Sequence, residues 1–596
     1  MMRRRSPLTS HLRQTPLALA EVGCLFAIAG LITARQLTSP HFASCVVDDS
    51  ILQMSWVRQF AQALVEGTWL PRWLPDSNGG YGSPVFVFYS PLVYYVTAGV
   101  CWLGSPVIVA MKLVRLLGLF LSGLAMFMYA RNLAGRSLAL ITSVVYLVLP
   151  FHVLDVSYWS LYAEPWAWIW FPLILLSFDR MLANEDLAVV PCVAVSYAGL
   201  ILTHLVSAYM FSFVMAGYAL ACSRPGRRIR GMALVMLNVV LGLALSAFFL
   251  LPAAYERRFV HIEYSTFLPE FDFRNTFLFF PNPKLVTENL FQARTIQLLQ
   301  WITLLQAAGL AVGAAMSWRA GLERSMLRVL QFALGASLLC FFLMSRASTP
   351  LWQIIPGFPQ LQFSTRWLSI YTLMSALLIG AGSRGFTQWQ RLIRCRFWLK
   401  AGYLTFVVLA AIASLLIIRG GCFLGEEEFR QASMNVYNAP EYNPQTMPNW
   451  RQRVIYPDSP AFKVIEGFAN VKVRRWAAHE RELSIEGDSP ILLALRLFHY
   501  PGWVLRLDGR NEQIHVNPAD GGILLSVQPG RHVVNLRFEN TAWRTASLAV
   551  SVDTGLALGV IWLRRRGRGT LLESAIAINA ESSEKDYKCA AREDES

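Results

Sequence analysis

The chain has 596 residues, of which 55% are hydrophobic and only 15% charged, with a formal net charge of +15. A soluble domain is about 45–50% apolar and about 25% charged. That balance excludes a water-soluble globule, and the basic residues are gathered in short clusters between apolar runs, which reports orientation in a membrane rather than a nucleic-acid partner.

Apolar runs of about 18 or more residues recur along most of the chain, which predicts a polytopic α-helical membrane protein. A basic N-terminus over 1–15 (Arg3, Arg4, Arg5, Arg13) precedes a first apolar run at 16–34. The run is long and no small-x-small site closes it, so it is expected to be a signal anchor rather than a cleaved leader. An external loop is expected over 35–84, opening with Asp48 and Asp49. Ile51, Met54, Val57, Phe60 and Leu64 then recur at helical spacing, which fits a helix lying along the membrane surface. The segment 69–91, WLPRWLPDSNGGYGSPVFVFYSP, is rich in Trp, Tyr, Gly and Pro.

Further helices are expected near 85–103, 107–130, 137–152, 165–182, 189–203, 205–222, 231–251, 298–317, 326–344, 366–383, 400–418 and 546–563. The clusters around Arg224–Arg230, Arg319–Arg328, Arg384–Lys400 and Arg564–Arg568 are read as cytoplasmic. Thirteen crossings would leave the last Arg cluster outside, so one of the three segments between 85 and 152 is expected not to cross fully. The transmembrane domain is placed at 16–419, and a small external β-sandwich at 420–545. Its strands alternate as in Val471–Trp476, Ile491–Phe498, Trp503–Leu507, Ile523–Val527 and Val533–Phe538, between Gly-containing turns. A disordered cytoplasmic tail is expected over 564–596. The nine cysteines show no CxxC, and a Cys45–Cys422 disulfide is one option on an oxidising face.

Several side chains carry possible chemistry, each with a plainer alternative. Asp49 and its neighbour Asp48 can act as a general base or hold a divalent cation, or cap the helix beginning near Ile51. Trp73, Tyr81 and Tyr89 suit a sugar face or an aromatic belt. Arg58 and Arg72 can neutralise a lipid phosphate or snorkel. Glu164, with Tyr162 beside it in YAEPW, is an acid at the outer edge of a span, where it is costly unless used or solvated. Asp155 can supply another external carboxylate. His204 in LTHLVS is either a structural hydrogen-bonder or a ligand group. Arg366 follows Pro356, Pro359, Gln360 and Gln362 at a helix mouth, where its fixed charge and forked donors suit a phosphate.

Taken in order, GGYGSPVFVFYSPLVYY, YAEPW, LTH, PGFPQLQFSTRWL and HYPGWVLRLDG resemble the bacterial integral membrane family labelled 6-pyruvoyl-tetrahydropterin synthase-related. More broadly they are similar to the GT-C superfamily of glycosyltransferases that use polyprenyl-phosphate sugars. The resemblance covers roughly 15–565. A soluble pterin synthase would need clustered zinc-binding histidines, which this chain lacks. The resemblance implies a GT-C-like fold of about 12–14 membrane helices with the β-sandwich before the last one. It implies inverting transfer from a polyprenyl-phosphate-linked donor, with Asp49 or Asp48 as base, Glu164 as second acid and Arg366 on the leaving phosphate. Arg72, Arg58 and Gln362 would assist at the donor, and Tyr81, Tyr89, Tyr162, His204 and Trp73 would line the sugar or acceptor. Related sequences carry a His shortly after the first Asp; Gln53 stands near that place here, which bears against a His-assisted or metal role.

The reading is a membrane glycosyltransferase of the bacterial inner membrane, with both termini cytoplasmic and the active face outside. Its acceptor is an envelope glycan, lipid or protein. A divalent cation (Mg2+ or Mn2+) is an optional cofactor, held by Asp48 and Asp49. The alternatives are a flippase or transporter for lipid-linked glycans, which should show internal repeats or intramembrane charges along a path, and a non-catalytic scaffold.

Overall fold

The computed structural model describes residues 17–43, 47–159, 161–184, 187–266, 269–282, 290–318, 322–384, 394–424, 439–448 and 460–564. Eight helices among them are long and apolar enough to cross a membrane. They are Leu19–Thr38, Val107–Ala134, Leu205–Cys222, Arg228–Leu245, Ala293–Trp318, Arg324–Leu343, Phe397–Gly420 and Ala542–Arg564. The pair Arg136–Val148 and Pro150–Trp159, bent by 45°, makes a ninth if it is one span.

This is fewer than the 12–14 expected from apolar runs, because an apolar run can be a short helix. Leu92–Trp102 has 11 residues, Val190–Thr203 has 14 and Trp367–Gly382 has 16. At 1.5 Å per residue, 11 residues span roughly half of a hydrocarbon core about 30 Å thick. Leu92–Trp102 is kept short at both ends: Pro91 caps its start, and Gly104 at φ +93° turns the chain away after it. Of the segments between 85 and 152 this one is too short to cross, and Arg136–Val148, with 13 residues, reaches the length of a span only together with Pro150–Trp159.

Trp367–Gly382 is the axis of the helical body, since each of its sixteen residues is buried. Its neighbours approach at backbone distance. A Cβ on Gly313 would meet the Leu378 carbonyl at 2.7 Å, and one on Gly382 would meet the Gly313 Cα at 2.8 Å. Small residues are what allow helices to pack this closely where no water drives them together.

The domain before the last helix is a sandwich of two antiparallel sheets. One holds four strands in the order Phe462–Glu466, Ile491–Phe498, Gly522–Val527, His515–Val516. The other holds five, in the order Asn470–Ala477, Glu480–Gly487, Gly530–Phe538, Trp503–Leu507, Arg510–Glu512. Ile491, Leu493, Leu495 and Leu497 point inward from one strand, as a period of two requires. A separate two-stranded pairing of Phe42–Ala43 with Phe423–Leu424 joins the chain after Leu19–Thr38 to the chain leaving Phe397–Gly420. Cys422 beside it is disulfide-bonded; Cys45 and the 565–596 tail lie outside the described residues.

The sandwich is keyed into the helical body. Trp73 and Tyr81 belong to its apolar core, with Trp503, Phe498 and Leu536. Gly82, at φ +85°, passes so near the Trp73 indole that a Cβ would sit 2.3 Å from Nε1. Arg544, at the head of the last membrane helix, forks onto Glu256 at 2.7 and 2.8 Å, with the two side chains 0% and 1% exposed. Tyr500 of the HYPGW turn donates to the same carboxylate at 2.9 Å.

Candidate functional site

Four stretches of chain, far apart in sequence, converge beside the short helix Leu92–Trp102. The first is the helix Val47–Val65, which carries Asp49 near its start. The Asp48 side chain lies outside the described residues. Met54, Val57 and Phe60, expected to rest on a membrane surface, are fully buried instead. Phe60 packs edge-on against Phe86 and Tyr95, so protein, not lipid, covers that face.

The second stretch is the break at Tyr89, between Val85–Phe88 and Leu92–Trp102. Gln53 donates to the Tyr89 hydroxyl at 3.4 Å, and Tyr94 donates to the Gln53 carbonyl. Gln53 is thus occupied in holding two tyrosines beside Asp49. Burial, and then the Asp49 charge, push the Tyr89 hydroxyl up to about 12, while the Gln53 bond and Arg366 oppose the shift. Tyr89 is therefore a neutral donor at physiological pH.

The third stretch begins helix Glu164–Asn184. Glu164 is 8% exposed and accepts a hydrogen bond from Ser369. Asp155, in the π-helical turn Asp155–Trp159, is fully buried, and neither carboxylate oxygen has a hydrogen-bond partner among the described residues. It lies in electrostatic reach of Glu164, Arg115 and Asp49. A π turn inside an α-helix often marks a functional place.

The fourth is the turn before Trp367–Gly382. Gln362 sits at φ +64°. Its amide donates to the Ser265 carbonyl, and its side-chain oxygen accepts from Arg366 Nη2 at 3.2 Å. The Phe363 ring lies 5.4 Å under the guanidinium. Burial pulls the Arg366 pKa down; the Glu164 carboxylate is the largest opposing influence, ahead of Tyr89 and Tyr442. His204, at the joint of Val190–Thr203 and Leu205–Cys222, bonds Ser207 Oγ through Nδ1 at 2.7 Å and also feels the Arg366 charge.

The structure therefore brings together Asp49, Tyr89, Glu164, His204, Gln362 and Arg366. It does not bring the remaining candidates there. Arg72 is buried against the β-domain junction, donating to Asn540 Oδ1 at 2.6 Å and to the Phe248 carbonyl at 3.2 Å. Arg58 pairs with Asp76 at 2.9 Å on the surface. Trp73 and Tyr81 are sandwich core, and Tyr81 donates to Asp520 at 3.0 Å. Tyr162 is buried behind Tyr94, its hydroxyl bonded to Thr97.

Residues not singled out from sequence also reach the site. Ser369 is one helical turn beyond Arg366, a spacing that places both on one face. Arg115 and Lys112 stand inside an apolar run and bond Gln36 at 2.9 Å and the Ser39 carbonyl at 2.6 Å; charges so placed are a readable signal. Glu441 and Tyr442 come from the Pro/Asn-rich stretch after residue 438, where nothing in the pattern distinguishes them. Among the described residues no group of three or more His, Cys, Asp or Glu is arranged to hold a metal ion. The optional cation expected at Asp48 and Asp49 is not decided by this, since the Asp48 side chain lies outside the described residues; Arg366 is the positive charge nearest Glu164 and Tyr89 in influence.

No curated protein sequence matches the chain. Among solved structures, it is similar to the arabinofuranosyltransferase AftD from Mycobacteria, with 15% identity and a TM-score of 0.42 over 68% of this chain and 28% of that one. It is also similar to the Archaeoglobus fulgidus oligosaccharyltransferase in its apo form, at 13% identity and a TM-score of 0.44, over 72% of this chain and 61% of that one. ArnT from Cupriavidus metallidurans bound to undecaprenyl phosphate gives 14% identity and a TM-score of 0.30, covering 62% and 79%. The chain thus spans less than two thirds of the first two. A family model described as a 6-pyruvoyl-tetrahydropterin synthase related domain, membrane protein, matches residues 86–422, which is more than half of the sequence. The protein belongs to the 6-pyruvoyl-tetrahydropterin synthase related family of membrane proteins.

Proposed function

We propose that the protein is a membrane glycosyltransferase that moves a sugar from a polyprenyl-phosphate donor to an envelope glycan, lipid or protein. In this reading it lies in the bacterial cytoplasmic membrane with both termini inside and its site on the outer face. The observation that carries the reading is the meeting of one guanidinium with two carboxylates: Arg366 with Glu164 beside it, and Asp49 sharing Tyr89 with Arg366.

The chemistry needs these groups in these roles. Asp49 accepts the proton of the acceptor hydroxyl as that oxygen forms its bond to the anomeric carbon. The bond from that carbon to the phosphate oxygen breaks on the opposite face, and its electron pair leaves with the phosphate. Arg366, tethered by Gln362, meets the growing negative charge; one such preorganised donor is worth about 10²–10³ in rate. Glu164, which accepts a hydrogen bond from Ser369, balances the guanidinium's charge electrostatically. The reaction inverts the anomeric centre.

The test compares envelope glycans by mass spectrometry in cells with and without the protein. Loss of one glycan modification is expected, restored by the wild type and not by Asp49→Asn or Arg366→Ala at equal membrane levels. An unchanged glycan profile on deletion would rule out the transferase, and rescue by both variants would point to a scaffold.

A further inference from the structure

The stretch Ala439–Pro448 belongs to the external part of the chain and lies beyond the family-matched region, which ends at 422. It is fastened on three sides. Asn78 Nδ2 donates to Asn443 Oδ1 at 3.1 Å, and Ser83 donates to the Tyr442 carbonyl at 3.3 Å, both from the NGGYGSP loop. His261 N donates to the Asn443 carbonyl at 3.2 Å, and Gln445 N to the Phe259 carbonyl at 3.0 Å. Thr446 donates to the His499 carbonyl at 3.2 Å, from the β-domain.

So much anchoring of a short loop fixes what it presents. Pro440–Tyr442 is one 3-10 turn. Tyr442 stacks flat on Phe88, with centroids 5.7 Å apart and planes at 1°, and lies 6.4 Å from Trp56. Trp56 in turn meets Tyr89 at 5.1 Å. The Glu441 carboxyl is in electrostatic reach of Asp49, and Tyr442 of both Arg366 and Tyr89. No Arg or Lys pairs with Glu441 among the described residues, and burial, then the Asp49 charge, raise its pKa. A half-buried carboxyl with no cation beside it keeps acceptor oxygens available to a ligand's hydroxyls. An acid with hydroxyl-matching oxygens beside flat aromatic rings is the combination that grips a sugar: the acid takes hydroxyls, and the rings cover the apolar C–H face.

We propose that Glu441 and Tyr442 form the fixed, sugar-recognising jaw of the site, lying against the monosaccharide whose phosphate Arg366 holds. The inference rests on the proposed use of a polyprenyl-phosphate sugar. It divides the labour: Asp49, ahead of the family-matched region, supplies the base, that region holds the phosphate, and the loop beyond it selects the sugar.

Binding is measured on the full chain in nanodiscs with two kinds of probe. One is undecaprenyl phosphate alone; the other is a set of undecaprenyl phosphates carrying a hexopyranose or a pentofuranose. Wild type is expected to prefer one sugar-bearing probe over the bare phosphate. Glu441→Ala and Tyr442→Ala should weaken that probe about tenfold or more while leaving the bare phosphate within about twofold. Glu441→Gln and Tyr442→Phe, which spare the packing, should weaken it in the same direction by less. Arg366→Ala should weaken both kinds of probe. The jaw is overturned if wild type prefers no sugar-bearing probe, or if the Glu441 and Tyr442 variants affect both probes alike or neither. Wild type binding no probe at all, bare phosphate included, would instead overturn the transferase reading beneath it.

Discussion

Gln362 does two things for Arg366: it takes up the left-handed backbone that turns the chain into Trp367–Gly382, and its side chain ties the guanidinium to the Ser265 carbonyl. Gln362→Ala should remove that tether at a cost of about 1 kcal/mol, a roughly fivefold loss of undecaprenyl-phosphate affinity by titration. Unchanged affinity would mean the cation is positioned by Glu164 alone. Trp73 gives the opposite expectation. It was a candidate sugar contact by residue type, yet it is fully buried among Tyr500, Trp503 and Phe538. Trp73→Ala should cost about 3–5 kcal/mol of stability, seen as a lower unfolding temperature, with substrate affinity intact in the folded fraction. The two cases show what sequence can tell at this scale. Asp49, Glu164 and Arg366 stand out because charge beside an apolar run is expensive without a use. Arg72 carries the same local signal and Trp73 and Tyr81 an aromatic one, but their partners Asn540, Trp503 and Asp520 lie more than four hundred residues away along the chain.

At the scale of elements, the junction between helix Ala247–Glu256 and the last membrane helix is an ion pair sealed from water. Breaking one side of such a pair leaves a buried charge and costs about 3–5 kcal/mol, whereas replacing both sides with apolar groups is often near neutral. Glu256→Leu should therefore sharply lower the unfolding temperature, and adding Arg544→Leu should recover part of the loss. Equal unfolding temperatures for the single and double variants would show that the pair is not the source.

The sandwich also has a pH-sensitive corner. Its Asp508 carboxylate accepts from His532 Nδ1 at 2.6 Å and from the Val533 N–H at 2.8 Å. The Val533 bond, then His532, hold Asp508 below its usual range, and the Asp508 bond raises His532 above its own. The Asp508 contribution is present above its unfolded pKa and is lost as pH falls through the depressed folded value. The His532 contribution is complete below its unfolded pKa and is lost as pH rises through the raised folded value. The pair thus stabilises most in the weakly acidic window between them. The corner is solvent-exposed, so the effect should be only about 0.2–1 kcal/mol. Thermal scans from acid to alkaline pH should show it, and His532→Asn should flatten the upper limb.

The strands themselves were only partly legible. Ile491–Phe498 alternates openly, whereas Glu480–Gly487 is harder to read because the inward position after Glu480 is Arg481, a fully buried charge that breaks the apolar pattern. Helix lengths were legible as apolar runs and not as crossings, since a short helix inside protein needs no more polarity than one in lipid.

At the scale of the molecule, the proposed orientation places the turn at Arg227 in the cytoplasm and the sandwich strand with Lys472 outside. A membrane-impermeant maleimide should label Lys472→Cys in intact cells and Arg227→Cys only after lysis; the reverse pattern would invert the topology.

The wholly sheathed helix Trp367–Gly382 has a consequence for how the protein is made. Its principal packing neighbours, Arg136–Val148, Leu290–Trp318 and Arg324–Leu343, all leave the ribosome before it. It therefore enters a slot already lined, and only afterwards does Tyr403 of the next helix reach over to bond the Ile379 carbonyl at 3.0 Å. Asp49 and Glu164 are made well before Arg366, which rides at the head of this helix, and before Glu441 beyond it. A nascent chain stalled before residue 366 would hold the acids without their cation.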